Sequence, residues 1–254
     1  MKMNKTATWA IVITVFGLML CSSVVFLLAC SVPAEYKPIQ LTQKERKLFA
    51  KDFVDRHGLA FLNKVQENQA FTHTISQDEL NLYLASLDEI AFLKPGRDRK
   101  SKTTGGIYEA MDKAGLADPV IRMHDGVFTI MVRTRGSNKV VALDISMKIT
   151  DDDRLAVALE HARIGLMPMP QALLDKSITS LKRAVAKKSH PSEASARDLD
   201  GLLSTVLASI NEDPIGTELK FSRKRIRKIT ELTIEDGKLI MRVVPVDYKS
   251  RQAE

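Results

Sequence analysis

An uncharged segment near the start of the chain constrains the fold more than any other feature of the sequence. Residues 8–29, TWAIVITVFGLMLCSSVVFLLA, carry no charge and follow Lys2 and Lys5. These 22 residues exceed the ~20 that a helix needs to cross the core of a bilayer, whereas the apolar core of a cleaved signal peptide is usually ~7–15 residues long. The pattern therefore predicts an uncleaved transmembrane anchor within residues 1–30.

The end of this segment allows a second interpretation. The letters LLAC, ending at Cys30, resemble the bacterial lipobox, in which the cysteine becomes the lipidated N-terminus. In that case residues 1–30 are a lipoprotein signal and Cys30 is the lipidation site. Under both interpretations residues 31–40 are predicted to be a linker, and residues 41–254 a membrane-tethered α+β domain. This domain contains no cysteine, which excludes disulfides, thiol chemistry and zinc–cysteine sites within it.

The charge distribution predicts the side of the membrane and one candidate surface. Because positive flanks stay in the cytoplasm, Lys2 and Lys5 predict that the domain lies outside it, on the periplasmic or cell-surface side. An external location argues against a nucleic-acid partner, and none is predicted. The densest basic run, RKRIRK, is predicted to contact phospholipid headgroups through one face of an extended strand: Arg223, Arg225 and Arg227. The alternative is a solvated edge strand that its charge protects from aggregation.

The first part of the domain shows helical signals. Two capping-box signatures, Thr42–Glu45 and Ser76–Glu79, predict helix N-termini. The first helix is predicted to reach about Glu67 with an interruption at Gly58, and residues 71–75 are predicted to form a strand before the second helix. A basic loop at residues 94–106 and a short helix follow.

From Pro119 the apolar period changes to two, which is typical of strands. We predict a hairpin that turns at Asp125–Gly126, then strands on both sides of the turn at residues 151–153, and a second hairpin that turns at Asp236–Gly237. Two amphipathic helices are predicted between them, near residues 174–185 and 199–210. The predicted fold class is α+β: an N-terminal transmembrane helix followed by a curved antiparallel sheet packed on several helices.

The stretch RIGLMPMPQALL, residues 163–174, forms an apolar elbow between the last of these strands and a helix. Gly165 is predicted to end the strand, Pro168 to prevent its continuation, and Pro170 to begin the helix. These backbone roles leave three apolar side chains unexplained: Leu166, Met167 and Met169. Either they pack in the core, or they form the lip of a groove for lipid or acyl chains, for which adaptable methionines are suited.

No catalytic signature emerges from the sequence. The triplet Arg56–Gly58 resembles the RHG motif of histidine phosphatases, but it lies within a helical pattern rather than after a strand. The remaining histidines lack metal-ligand spacing, and Asp151–Asp153 fit a turn better than a cation site. We therefore predict a protein that is not an enzyme and uses no metal and no cofactor.

The order of these motifs resembles the YpmS-like family of single-pass bacterial membrane proteins and, more loosely, tubular lipid-binding (TULIP-like) proteins. The resemblance spans residues 71–185. It implies a curved antiparallel sheet wrapped around helices and enclosing an apolar groove, with no catalytic residues. The matching positions are Ile75, Glu79, Leu80, Asn81, Leu84, Asp125, Gly126, Gly165, Pro168 and Pro170.

Two functions fit these expectations. The first is a non-catalytic, membrane-tethered domain that binds or handles lipid through an apolar groove entered past residues 166–169. The alternative is an envelope scaffold or assembly factor that docks another protein, with a fully packed core and no ligand. An unrecognised hydrolase is a weaker third possibility.

Overall fold

A computed structural model describes residues 5–86, 89, 111, 115–170, 172, 214–222 and 225–246. The predicted loop at 94–106, the predicted helices near 174–185 and 199–210, and Arg223 lie outside these residues. The described helices are α1 (Lys5–Cys30), α2 (Gln43–Phe53), a π-helical turn (Val54–Leu59), α3 (Ala60–Gln66) and α4 (Gln77–Ala85). Within the described residues, no helix meets the combined length and apolarity required of a membrane span.

The strands form two antiparallel sheets, which confirms the α+β class. Sheet I contains β2 (Leu116–His124), β3 (Val127–Thr134), β4 (Val140–Ile149), β5 (Arg154–Ile164) and β6 (Met167–Pro168) in chain order, and β7 (Ile215–Gly216) also pairs with β5. Sheet II contains β1 (Phe71–Ser76), β8 (Glu218–Ser222), β9 (Arg225–Glu235) and β10 (Lys238–Pro245), in the order β1-β10-β9-β8.

The capping and turn signals are confirmed. Thr42 and Ser76 each cap a helix through reciprocal bonds with the glutamate three residues later. The predicted interruption at Gly58 takes the form of the π-helical turn, which joins α2 to α3 without ending the helical path. Asp125 and Gly126 have φ values of +48° and +78°, as a two-residue hairpin turn requires.

The strands divide between two antiparallel sheets, where the sequence predicts one curved sheet. β1 precedes α4 in sequence, yet it pairs with β10 from the C-terminal hairpin, and β8 adds a strand beside β9. Register shifts interrupt β4–β5 between Asp144 and Ile145 and β10–β9 between Arg242 and Val243. Such bulges bend and twist a strand, and the pairing of distant segments carries no local sequence signal.

Helix α4, which follows β1 of sheet II directly, bonds to β2 of sheet I through side-chain amides. Asn81, 9% exposed, donates from Nδ2 to the carbonyl of Ile121 over 2.9 Å and accepts the N–H of the same residue at Oδ1 over 2.7 Å. Gln77 Oε1 accepts the N–H of Met123 over 2.8 Å. Gly237, in the β9–β10 turn, donates to the Met123 carbonyl. The N–H and C=O groups of Ile121 and Met123 at the edge of β2 are therefore hydrogen-bonded without another strand.

The two faces of sheet I differ in polarity. One face carries the core cluster of Ile145, Val157, Leu159 and Ala162, with further half-buried apolar side chains around it. A neighbouring cluster joins this face to sheet II and α4 through Ile121, Met123 and Ile234. The other face carries Thr129 and Asp144, which are buried and hydrogen-bonded to each other, beside an apolar patch around Met131.

Candidate functional site

The elbow reverses the chain, whereas the sequence predicted that it runs directly from a strand into a helix. Gly165 adopts a φ of +61°, and the short strand β6 then pairs back onto β5, with Met167 opposite Ile164 and Pro168 opposite Arg163. Pro168 lies at the outer side of this two-residue pairing, where its missing N–H leaves no ladder bond unmade.

This turn rests on the C-terminal end of α1. The N–H of Leu166 donates to the carbonyl of Leu28 over 2.9 Å, and the N–H of Gly165 donates to Val140 over 2.7 Å. A Cβ atom on Gly165 would lie 2.5 Å from the Leu28 oxygen and 2.6 Å from the Ser31 oxygen. Gly165 is therefore required both by its φ and by the close approach of the helix end.

The three apolar elbow side chains have different environments. Leu166 is 46% exposed. Met167 is half-buried within β6. Met169 packs against the core cluster of sheet I, and its N–H donates to the carbonyl of Ala162. Among the three residues expected at a lip, Leu166 alone is exposed.

The segment predicted to be a linker is packed against the sheet. Tyr36 is buried in an apolar cluster with Val120, Met131, Val140 and Ala142. Its hydroxyl donates to the carbonyl of Asp118 over 2.8 Å. Burial, together with the negative charge of Asp118, raises the pKa of Tyr36 to about 12, although Arg133 opposes this. Tyr36 is therefore a neutral donor at physiological pH, and residues 31–40 hold α1 against sheet I.

Next to Tyr36, a chain of charges crosses the polar face of sheet I. Glu35 Oε1 lies 3.5 Å from Arg163 Nη1 and 3.9 Å from Arg122 Nη1. On its other side, Arg163 Nη2 lies 3.4 Å from Asp144 Oδ1, which also accepts the Thr129 hydroxyl over 2.8 Å. Asp144 is 9% exposed, so these partners compensate for the burial of its charge.

A cavity of about 470 Å³ opens beside this charge chain and below the elbow. Its walls are lined by His124, Asp144, Glu160, His161, Ala162, Arg163, Pro168 and Met169. The sequence does not reveal it, because the alternation of Asp144 and Ser146 with apolar residues indicates only a strand with one polar face. The available signal was that four of its ionisable residues occur on two consecutive paired strands: Asp144 on β4, and Glu160, His161 and Arg163 on β5.

The residues predicted to contact headgroups are only partly described, and one of them, Arg227, is buried. Arg227 is 2% exposed, and its guanidinium donates to the carbonyls of Val65 and Ile226. It therefore binds the C-terminal end of α3, where unpaired carbonyls favour a cation, and does not reach a membrane surface. Arg225 begins β9.

The Arg56–Gly58 triplet lies in the π-helical turn and takes part in an aromatic and charged cluster. His57 Nε2 lies 3.2 Å from Glu79 Oε1, without hydrogen-bond geometry, and its ring stacks edge-on to His73 with centroids 5.4 Å apart. Burial lowers the pKa of His73, and the charges of His57 and Lys64 add to this. This cluster joins the π-helical turn to β1 through His73 and to α4 through Glu79.

The remaining candidates have structural positions. Asp151–Asp153 form the turn before β5, and Asp153 accepts the ammonium of Lys228 over 2.6 Å. Within the described part of the chain, no three His, Cys, Asp or Glu side chains are arranged to hold a metal ion. Cys30, the last residue of α1, is an exposed free thiol.

No family model, curated protein or solved structure matches the chain.

Proposed function

We propose that this protein is a membrane-tethered, non-catalytic domain outside the cytoplasm that binds lipid. The tether is proposed from the sequence: residues 8–29 are uncharged, and Lys2 and Lys5 precede them. Helix α1 carries large apolar side chains that are exposed, as contact with lipid requires. Those described are Phe16, Met19, Leu20, Val24, Val25, Phe26, Leu27 and Leu28. The resemblance to YpmS-like proteins supports the same proposal.

The hydrogen bond from Leu166 to Leu28 carries this proposal. Leu28 lies next to the end of the uncharged segment, residues 8–29, so that a group bonded to its carbonyl lies at the bilayer surface when α1 spans the membrane. The elbow, with the exposed side chain of Leu166, would then face the lipid interface. The half-buried apolar residues of β4 and β5 precede the elbow in the chain and pack in one cluster with its Met169. They would provide the groove for acyl chains.

The same contact favours an uncleaved anchor over a lipoprotein. Cleavage before Cys30 would remove Leu28 and Ala29, whose carbonyls lie against Gly165. The elbow would then lose the helix end on which it rests. Intact mass measurement of the protein extracted from membranes should therefore give a chain that retains residues 8–29 and has no acyl group on Cys30.

Photo-crosslinking tests the lipid contact. The full chain is reconstituted into vesicles that contain a phospholipid with a diazirine near the end of one acyl chain, and the adducts are mapped by mass spectrometry. We expect adducts on residues 154–170 in addition to α1. Leu166→Glu should remove most adducts on the domain, whereas Leu59→Glu, at a 50% exposed position of the π-helical turn, should retain them. Adducts confined to α1 would contradict lipid binding and favour the scaffold alternative.

A further inference from the structure

The cavity beside the elbow presents both carboxylates and hydrogen-bond donors on one concave surface. Its volume of about 470 Å³ lies within the ~300–1,000 Å³ typical of small-molecule sites. Buried charge on a sheet face is costly unless it is paired and hydrogen-bonded. The identity of the groups that line the cavity therefore indicates what it can bind.

Two of the lining residues have nitrogen atoms that need a partner. Arg163 Nε and His124 Nδ1 are buried, and neither has a hydrogen-bond partner among the described residues. A buried donor without an acceptor destabilises the fold, because it has lost its bonds to water and gained none. The Arg163 side chain as a whole is 27% exposed, so an oxyanion in the cavity would accept from it once a small rotation of the guanidinium turns Nε to the cavity wall. A rotation of the His124 ring would do the same for Nδ1 in the tautomer that carries the proton there.

The carboxylates argue against a simple anion as the ligand. Arg163 already lies between Glu35 and Asp144, and Glu160 lines the same cavity, where its Oε1 accepts the Ser146 hydroxyl over 2.6 Å. A bare phosphate would be attracted by Arg163 and repelled by these three carboxylates. A ligand with a cation close to its oxyanion complements both sets of groups.

The cation should be a primary ammonium. Quaternary ammonium groups are recognised by aromatic rings, and no aromatic ring of Phe, Tyr or Trp is among the described residues that line this cavity. A primary ammonium has three N–H donors, which Asp144 and Glu160 can accept.

We propose that this cavity binds a phosphoethanolamine group. Its phosphate oxygens accept from Arg163 and His124, and its ammonium donates to Glu160 and Asp144. Pro168 and Met169 of the elbow form part of the wall, close to Leu166, which bonds to the end of α1. If a phospholipid supplies this group, the inference rests on the proposed function. Free glycerophosphoethanolamine carries the same chemistry and is the alternative source.

Calorimetric titration of the full chain in detergent micelles tests this proposal. The ligands are dihexanoyl phosphatidylethanolamine, its phosphatidylcholine and phosphatidylglycerol counterparts, and glycerophosphoethanolamine. We expect the ethanolamine lipid to bind about 10-fold more tightly than the other two lipids, a difference of ~1.4 kcal/mol. Glu160→Gln, at an exposed position of β5, should remove most of this preference. Glu231→Gln, at a 64% exposed position of sheet II, should retain it.

Each outcome decides a separate point. Equal binding of the three lipids, or tightest binding of the glycerol lipid, would overturn the assignment of an ammonium site. So would an undiminished preference in Glu160→Gln. Binding of glycerophosphoethanolamine as tight as that of the lipid would support the headgroup site and identify a soluble source. If ethanolamine selectivity holds while acyl-chain adducts occur only on α1, the inference stands and the proposed lipid function fails. If adducts occur on residues 154–170 without ethanolamine selectivity, the proposed lipid function stands and the inference fails.

Discussion

The N–H of Leu166 and the carbonyl of Leu28 are joined by a hydrogen bond of 2.9 Å between the elbow and the last turn of α1. The final carbonyls of a helix have no partner within it. Here the Ser31 hydroxyl donates to the Leu27 carbonyl over 2.7 Å, and Leu166 donates to Leu28. Lys139 Nζ lies 5.9 Å from the centre of the Phe26 ring. The domain is therefore attached to α1 by several contacts in addition to the covalent chain.

Gly165→Ala should weaken this attachment. An added Cβ would meet three backbone oxygens at 2.5–2.8 Å, and the φ of +61° disfavours any side chain. Because backbone oxygens cannot move aside as a flexible side chain can, we expect the free energy of unfolding to fall by about 3 kcal/mol. Urea unfolding of the full chain in detergent micelles, followed by circular dichroism, measures this change.

Two other glycines separate the causes of this effect. Gly126 has a φ of +78° and open space around it, so Gly126→Ala should show the backbone cost alone, about 1 kcal/mol. Gly136 has neither constraint, and Gly136→Ala should change stability very little. If Gly165→Ala is no more destabilising than Gly126→Ala, the close contact with α1 does not form.

Asn81→Ala should be among the more destabilising substitutions in α4. It would leave both the N–H and the carbonyl of Ile121 without their partner in a buried edge, which costs about 3 kcal/mol. Gln77→Ala, which removes one bond to Met123, should cost about 1 kcal/mol. Chemical unfolding measures both, and equal effects would show that the amide of Asn81 does not satisfy β2 as described.

Stability should decrease in mildly acidic solution through His73. Burial lowers the pKa of this imidazole in the folded chain, so the unfolded chain binds a proton more readily. The contribution is complete above the ordinary pKa of ~6.5 and is lost as pH falls from there through the lowered pKa. The neighbouring groups are His57, Lys64 and Glu79.

Unfolding free energies measured between pH 5 and pH 8 test this expectation. His73→Gln should reduce the slope over that window, whereas His161→Gln, at an exposed position of β5, should leave it unchanged. An identical slope in the His73 variant would assign the pH dependence to other groups.

Arg227→Gln should lower stability by about 3 kcal/mol, because the buried guanidinium donates to the end of α3. Arg242→Gln is the matched control on the neighbouring strand, since Arg242 is 53% exposed and pairs with exposed Glu231. It should change stability by less than ~0.5 kcal/mol. A loss of vesicle binding in Arg227→Gln without a loss of stability would restore its predicted role at headgroups.

The local part of the fold could be predicted from the sequence. Capping boxes at Thr42 and Ser76, the Asp125–Gly126 turn and the alternation in β4 and β5 are signals within a few residues of each other. Each reflects a backbone constraint or a period that the chain carries by itself. The same locality explains why Gly165 was recognised as the end of a strand.

The site depended on tertiary contacts. Arg227 has the same local pattern as an exposed strand cation, and the end of α3 alone decides that it is buried. Asp144 and Arg163 are separated in the chain, and the bulge between β4 and β5 sets which residues share the cavity. The sequence by itself determined the capped helix starts, the Asp125–Gly126 turn and the uncharged segment, because these depend on near neighbours. The tertiary structure decided that the elbow binds the end of α1 and that charges converge beneath it, because both require segments distant in sequence to meet.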